Sequence, residues 1–285
     1  MKASRLLVAA VQMKFRAAIA DNVSWIAEII HSSAKSGAEL VLFPECAVTG
    51  YNCDFATVSP SQVEAALLRI ARAARAARCH VLVGSPTFRR RQRFNSLAVF
   101  DRTGRTVFCY SKIHLTARDA RFFAPGNALA FFHLAGVPCT AMICHERRYP
   151  ELVRLPVMLG AQVAFHPNAG LDPLPVSKSK RHGRDGIAVR AFENDVYYVF
   201  ANSVGRQGDS LWSAGDSKIV APDSRVLALA NNRDETVIQA ELDLSCAGRT
   251  YARDALQEPA FLRIHWKTML AACRRQLRHA TRFSR

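Results

Sequence analysis

Several features are scarce or missing in this 285-residue chain. No apolar run is long enough to cross a bilayer, which excludes a helical membrane anchor and points to a soluble protein with no membrane partner. No pair among the eight cysteines, at positions 46, 53, 79, 109, 139, 144, 246 and 273, has CxxC spacing. A chain of this size needs no covalent staples, so neither a zinc site nor a disulfide framework is expected, and the cysteines fit a reducing cytoplasm. No low-complexity linker or internal repeat divides the chain. At 49% hydrophobic it has enough apolar side chains for one large α/β domain or two small ones. Acidic residues are few, 23 Asp and Glu against 39 Lys and Arg, for a net charge of +16. Charge of that size favours non-specific contact with polyanions. The basic residues are nevertheless dispersed and lack any module with interleaved aromatics, so no specific nucleic-acid partner is expected.

What is present is a series of apolar strands and amphipathic helices. Leu6 to Val11 follows Lys2 and Arg5 as the apolar core of a signal peptide would, but it is short, lacks a small-residue cleavage site and runs on into Gln12-Met13-Lys14. It reads as a first strand. Asp21-Asn22 is placed to cap a helix whose Val23, Ile26, Ala27, Ile30 and Ala34 share one face, and Ser61 to open another with Val63, Ala66, Leu67, Ile70 and Ala74 inward. Arg69, Arg72, Arg75 and Arg78 form a solvated stripe on that second helix. Strands over His80 to Pro86 and Asn95 to Phe100 flank the arginine-rich Phe88 to Arg93, read as an exposed hairpin turn. Further strands are expected at Val137 to Ile143, Ala161 to His166 and Val237 to Leu242, with a helix over Glu146 to Leu159. Pro167 to Arg181 reads as a long irregular segment, of the kind that often carries binding residues.

Three strands each deliver one ionisable residue at their end. Leu40-Val41-Leu42-Phe43-Pro44 leads to Glu45, Val107 to Ser111 leads to Lys112, and Ala141-Met142-Ile143 leads to Cys144. Strands lying side by side would bring the three together at one edge of one sheet. Cys144 would then sit among the backbone N–H groups of the turn that follows, a setting that favours a thiolate and donates to an oxyanion.

Phe43-Pro44-Glu45, Tyr110-Ser111-Lys112-Ile113-His114-Leu115 and Cys144-His145-Glu146-Arg147-Arg148-Tyr149-Pro150-Glu151 resemble, in order and spacing, the three signatures of the nitrilase superfamily of carbon–nitrogen hydrolases. The likeness runs from Leu6 to about Leu242. It implies a four-layer αββα sandwich over residues 1–246, with Glu45, Lys112 and Cys144 as a catalytic triad that works without metal or organic cofactor. It also implies a homodimer or larger homo-oligomer with exchanged C-terminal segments. The family usually carries a second glutamate some residues before a Phe-x-Pro-Gly-like turn. Counting back from Pro125-Gly126 gives Asp119, an auxiliary acid one methylene shorter, which puts its reach to Lys112 in question. Asn95 matches a recurring structural asparagine, and Arg190-Ala191-Phe192-Glu193-Asn194 matches an Arg-Ala-x-Glu-Asn segment in which Glu193 fits best as a partner of Arg190. Tyr51, His145, Asn168 and Ala169 are candidates to line the pocket or donate to the oxyanion.

The residue types support this chemistry independently. A neutral thiol attacks an amide poorly, and a buried carboxylate within reach can take its proton, which is the role of Glu45. A fixed ammonium, Lys112, with the His145 backbone N–H, would stabilise the charge that develops on the former carbonyl oxygen. An adjacent Cys144/His145 dyad is disfavoured because neighbours in a turn point apart, and His166 is read equally as a pocket or a core residue. A small amide or N-carbamoyl compound is the expected substrate, and a nitrile the alternative, since the family's nitrilases tend to place tryptophan where His145 stands. Arg147 or Lys178 would favour an anionic one. A reading from another class is a catalytically silent binding protein. Residues 247–285 form a basic, partly helical C-terminal extension, with nine Lys and Arg against two Asp and Glu. Its Leu262, Trp266, Met269, Leu270, Cys273 and Leu277 repeat at helical spacing and are expected to dock at a subunit interface.

Overall fold

The computed structural model describes residues 5–180, 186–257 and 259–280; Lys2, Arg181 and the end of the basic extension lie outside them. The first half of the chain runs β1 (Arg5–Gln12), α1 (Ile19–Lys35), β2 (Leu40–Leu42), α2 (Pro60–Ala77), β3 (His80–Arg89), β4 (Gln92–Phe100) and β5 (Thr106–Ser111). The second continues with β6 (Phe132–Leu134), β7 (Val137–Ala141), α3 (Glu151–Leu159), β8 (Val163–Asn168), β9 (Asp172–Pro173), α4 (Leu174–Ser179), α5 (Ile187–Phe192) and β10 (Tyr197–Asn202). It closes with β11 (Val204–Gln207), β12 (Leu211–Ala214), β13 (Lys218–Val220), β14 (Val226–Leu229), β15 (Thr236–Asp243), α6 (Thr250–Asp254) and α7 (Ala260–Ala280).

Two six-stranded mixed sheets carry the fold, in the orders β15-β1-β2-β3-β4-β5 and β14-β13-β10-β8-β7-β6. Strand β1 shows why its sequence is continuously apolar rather than alternating. Leu6, Val8 and Ala10 enter the core between the sheets, while Ala9 and Val11 face the helices behind. The inter-sheet core pairs Leu42, Leu97 and Val99 of the first sheet with Phe165, Val199 and Ile219 of the second. Helices α1 and α2 cover the outside of the first sheet through Val23, Ile26, Ile30 and Ile70. Helix α3 covers the second through Leu152, Val153 and Val157, joined by Leu270 and Cys273 of α7, so these two residues of the stripe expected at a subunit interface pack within the chain instead. The result is the four-layer αββα sandwich. Among the described residues no helix is long and apolar enough to cross a membrane.

Several local expectations change. Asn22 does not cap α1, which starts three residues earlier; its buried side chain instead bonds both the N–H and the carbonyl of Arg16. Pro60 opens α2 ahead of Ser61, as suits its missing N–H. The β3–β4 hairpin is longer and its turn tighter than expected, with Arg90 and Arg91 at φ of +47° and +67° in a two-residue turn. Glu146 to Leu159 is not one helix. A 3-10 turn over Cys144–Arg148 ends at Tyr149, and α3 begins only after Pro150, because the residue before proline is pushed out of the helical region. The segment beyond β8 is less irregular than expected, since β9 joins a small sheet of order β11-β12-β9 and α4 follows it.

Candidate active site

The parallel strands β1, β2 and β3 run one way, as does β5, so Glu45 and Lys112 leave the first sheet at the same end. Cys144 comes from the second sheet, beyond β7. The three residues therefore do not share the edge of one sheet. They meet where the carboxyl ends of strands from two facing sheets approach each other. Two glycines permit the approach. A Cβ on Gly84 would lie 2.3 Å from the Pro44 carbonyl and 2.6 Å from Glu45 Cα, and one on Gly126 would lie 2.0 Å from the Ser111 carbonyl, just before Lys112.

Glu45 and Lys112 are fully buried, and Asp119 nearly so. Lys112 Nζ donates to Glu45 Oε1 at 2.8 Å and to Asp119 Oδ2 at 2.7 Å. The shorter aspartate thus reaches the lysine, because Asp119 sits on its own 3-10 turn, pinned by the Thr116 N–H at 3.0 Å and hydroxyl at 2.9 Å. The Thr116-x-x-Asp119 spacing is the sequence signal for that local pin. Tyr51 donates its hydroxyl to Asp119 Oδ1 at 2.6 Å. Asn95 Nδ2 donates to Glu45 Oε1 at 2.7 Å, so this residue touches the triad directly. The Ala169 N–H is engaged with Glu45 Oε2 at 3.1 Å, which makes it a support of the carboxylate rather than a free donor.

The electrostatics follow from burial and pairing. Burial raises Glu45 above its ordinary value, against the pull of Lys112. Burial alone would lower Lys112, but the carboxylates Glu45 and Asp119 outweigh it and hold the ammonium charged well above the usual lysine range. Asp119 also resists burial, and Lys112 and Tyr51 keep it below the usual aspartate value. Cys144 differs from the expectation of a thiolate. Burial first, then the negative charge of Glu45, push its thiol up to about 12, which keeps the proton on sulfur. The arrangement holds a neutral thiol against a carboxylate that can accept its proton.

A cavity of about 380 Å³ opens over Cys144, lined also by Tyr51, His145, Asn168 and Ala169. His145 lines it without bonding its neighbour; its ring packs edge-on against Tyr149, and its Nε2 has no hydrogen-bond partner. Asn168 Nδ2 donates to Asn202 Oδ1 at 2.7 Å, and its Oδ1 is an unpartnered acceptor. Arg118, Arg147, Arg148 and Lys180 are on the cavity wall with Asp172 and Asp216. Lys178 is exposed on α4 and is not part of that wall. His166 belongs to the core, fully buried between the Cys144 carbonyl and Tyr198. Arg190 pairs with Glu193 at 2.6 Å and donates to the Arg147 carbonyl, and neither Arg190 nor Glu193 lines the cavity, which gives Glu193 a structural place. Among the described residues no cluster of His, Cys, Asp and Glu is placed to hold a metal.

Comparison with known proteins gives a consistent picture. The model of the carbon–nitrogen hydrolase family matches residues 7–252. A nitrilase of Pyrococcus abyssi is 31% identical over 232 residues, covering 78% of this chain and 84% of that one. An (R)-stereoselective amidase of a Pseudomonas species is 32% identical, covering 77% and 80%. The crystal structure of an amidase from a Nesterenkonia species superposes with a TM-score of 0.79 at 25% identity, over 92% of this chain and 96% of that one.

Proposed function

The chain belongs to the carbon–nitrogen hydrolase family, and on that premise we propose that it hydrolyses a small amide or N-carbamoyl compound through a thioester on Cys144. The observation that carries the reading is the buried contact in which Lys112 bridges Glu45 and Asp119, with Cys144 near them on the cavity wall. In this mechanism Glu45 takes the thiol proton as sulfur adds to the substrate carbonyl. The Lys112 ammonium and the His145 backbone N–H stabilise the oxyanion, a contribution of several kcal/mol in a dry site. Glu45 returns the proton to the departing ammonia or amine, leaving the acyl group on sulfur. It then deprotonates a water that attacks the thioester, and collapse releases the acid and restores the thiol. Asp119 holds the ammonium in place and keeps it charged throughout. Asn168 Oδ1 is a free acceptor for a substrate N–H.

The cavity wall favours a substrate whose far end is a carboxylate. Its lining carries four cationic side chains, Arg118, Arg147, Arg148 and Lys180, against two acids, Asp172 and Asp216. A nitrile is the second reading, favoured by the similarity to the Pyrococcus protein. Other features belong to the same proposal. The eight cysteines, all free, suit a reducing cytoplasm. Residues 247–285 act as an extension of the 1–246 hydrolase domain. The exposed Phe261 and Ile264 on α7 suit a subunit interface in a homodimer or larger homo-oligomer.

The test is ammonia release from a panel of short amides, ω-amides, N-carbamoyl amino acids and nitriles, with Cys144→Ala in parallel. Turnover that disappears in the variant is expected, with acids bearing an amide or carbamoyl group ahead of their neutral counterparts. Silence across the panel, with Cys144 unreactive to iodoacetamide, would leave the binding-protein reading instead.

A further inference from the structure

Cys144 has a backbone φ of +55°, a left-handed conformation that a non-glycine residue keeps only where its surroundings impose it. Two fully buried side chains outside the triad grip the backbone around it. Glu146 accepts from the N–H of Ile143, the residue before Cys144, at 2.7 Å. Its other oxygen accepts from the N–H groups of Ile113 and His114, the two residues after Lys112, at 2.7 and 3.0 Å. Tyr110, at the end of β5, donates its hydroxyl to the same carboxylate at 3.0 Å. One side chain therefore joins the exit of β5, which carries Lys112, to the exit of β7, which carries Cys144. These strands belong to different sheets, and no backbone ladder connects them.

His166 acts from the opposite side. Its Nε2 lies 2.8 Å from the Cys144 carbonyl and its Nδ1 3.0 Å from the Tyr198 hydroxyl. A carbonyl only accepts, so Nε2 carries the proton, and Nδ1 accepts from Tyr198 in the neutral ring. Burial, with Arg147 and Lys112 nearby, pushes His166 down to about 3, so the ring stays in this one tautomer over the working range of pH.

We propose that Glu146 and His166 are positioning residues, Glu146 fixing the separation of Lys112 from Cys144 across the two sheets and His166 fixing the Cys144 peptide so that its thiol faces Glu45. The proposal rests on the reading of Cys144 as the nucleophile. Neither residue lines the cavity, so their loss should alter the reacting geometry rather than substrate affinity. Misplacing reacting groups by about 1 Å is enough to cost on the order of 100-fold in rate.

The experiment compares wild type with Glu146→Gln, His166→Leu and His166→Gln, measuring kcat, KM, thermal unfolding and the rate of Cys144 alkylation by iodoacetamide. Glutamine at 146 keeps the shape but turns an amide NH2 toward one of the N–H groups. Folded Glu146→Gln is expected to lose roughly 100-fold in kcat with KM within about threefold. His166→Leu should lose about tenfold in kcat, and His166→Gln, whose Nε2 can still donate to the Cys144 carbonyl, should recover most of it. Should Glu146→Gln fail to fold, Tyr110→Phe removes one donor to the same carboxylate and should lower kcat at unchanged KM. Folded variants with wild-type kcat, a loss confined to KM, or His166→Gln as slow as His166→Leu would overturn the proposal. An active wild type matched by its variants defeats only this inference. A wild type inert on every amide with Cys144 unreactive defeats the hydrolase reading and the inference with it.

Discussion

Two regions of the molecule use charge in opposite ways. At the meeting of the two sheets, one lysine and two carboxylates are sealed from water, each paired at 2.7 to 2.8 Å. In the C-terminal extension nine Lys and Arg stand against two Asp and Glu, and α7 faces solvent along much of its length. The first region contributes little to the net charge and contains the groups we propose carry the chemistry. The second contributes +7 of the chain's +16, and none of its described residues is on the cavity wall. Desolvation explains the difference. A buried charge without its partner is costly and its pKa moves, whereas an exposed charge is screened and changes little when removed.

The largest effect is expected from Lys112→Met. It would leave Glu45 and Asp119 facing each other without a cation, lowering kcat/KM by about a thousandfold or more. It should also destabilise the fold by about 3–5 kcal/mol at neutral pH. Unfolding at low pH should reduce that second loss, since the unpaired carboxylates are then protonated. Next comes Leu270→Ala, which empties a core position under α7 and should cost about 2 kcal/mol in thermal unfolding while leaving kcat unchanged.

Asp119→Asn is a smaller and more informative break. Glu45 must be ionised to accept the thiol proton, so activity falls as pH drops through its raised pKa. Asp119 is one of the charges that raise Glu45. Neutralising it should move the acid limb of the pH–kcat/KM profile downward, with roughly a tenfold fall in kcat from the loosened lysine. An unmoved limb would detach Asp119 from the base. The smallest effect is expected from Arg274→Gln with Arg275→Gln. Stability should change by less than about 0.5 kcal/mol, kcat should hold, and only weak, salt-sensitive polyanion binding should decline. A change in kcat there would break the contrast between the regions.

The sequence makes one part of this arrangement readable and conceals another. Glu45, Lys112 and Cys144 stand out because each ends an apolar strand, a local pattern. Thr116 and Asp119 are likewise three residues apart, and their hydrogen bonds are local. The partition of the strands between two sheets is not local, so the three ends appear to belong to one sheet until the pairing is known. The same holds for Ala169, whose N–H supports Glu45 from 124 residues away. Glu146 looks like the start of a helix in sequence, and it becomes a bridge because Pro150 delays that helix and leaves its side chain free to turn back to Ile143 and Ile113. The neutral thiol is hidden for a related reason, since nearby backbone N–H groups suggest a thiolate and only burial beside Glu45 reverses the balance.

The most direct test of the account is intact-protein mass spectrometry of the enzyme quenched in acid during turnover of its best amide, with peptide mapping of any adduct. The mechanism predicts an added acyl mass on Cys144 that disappears as substrate is exhausted. Sustained turnover with the adduct on another residue, or continued hydrolysis by Cys144→Ala, would contradict it.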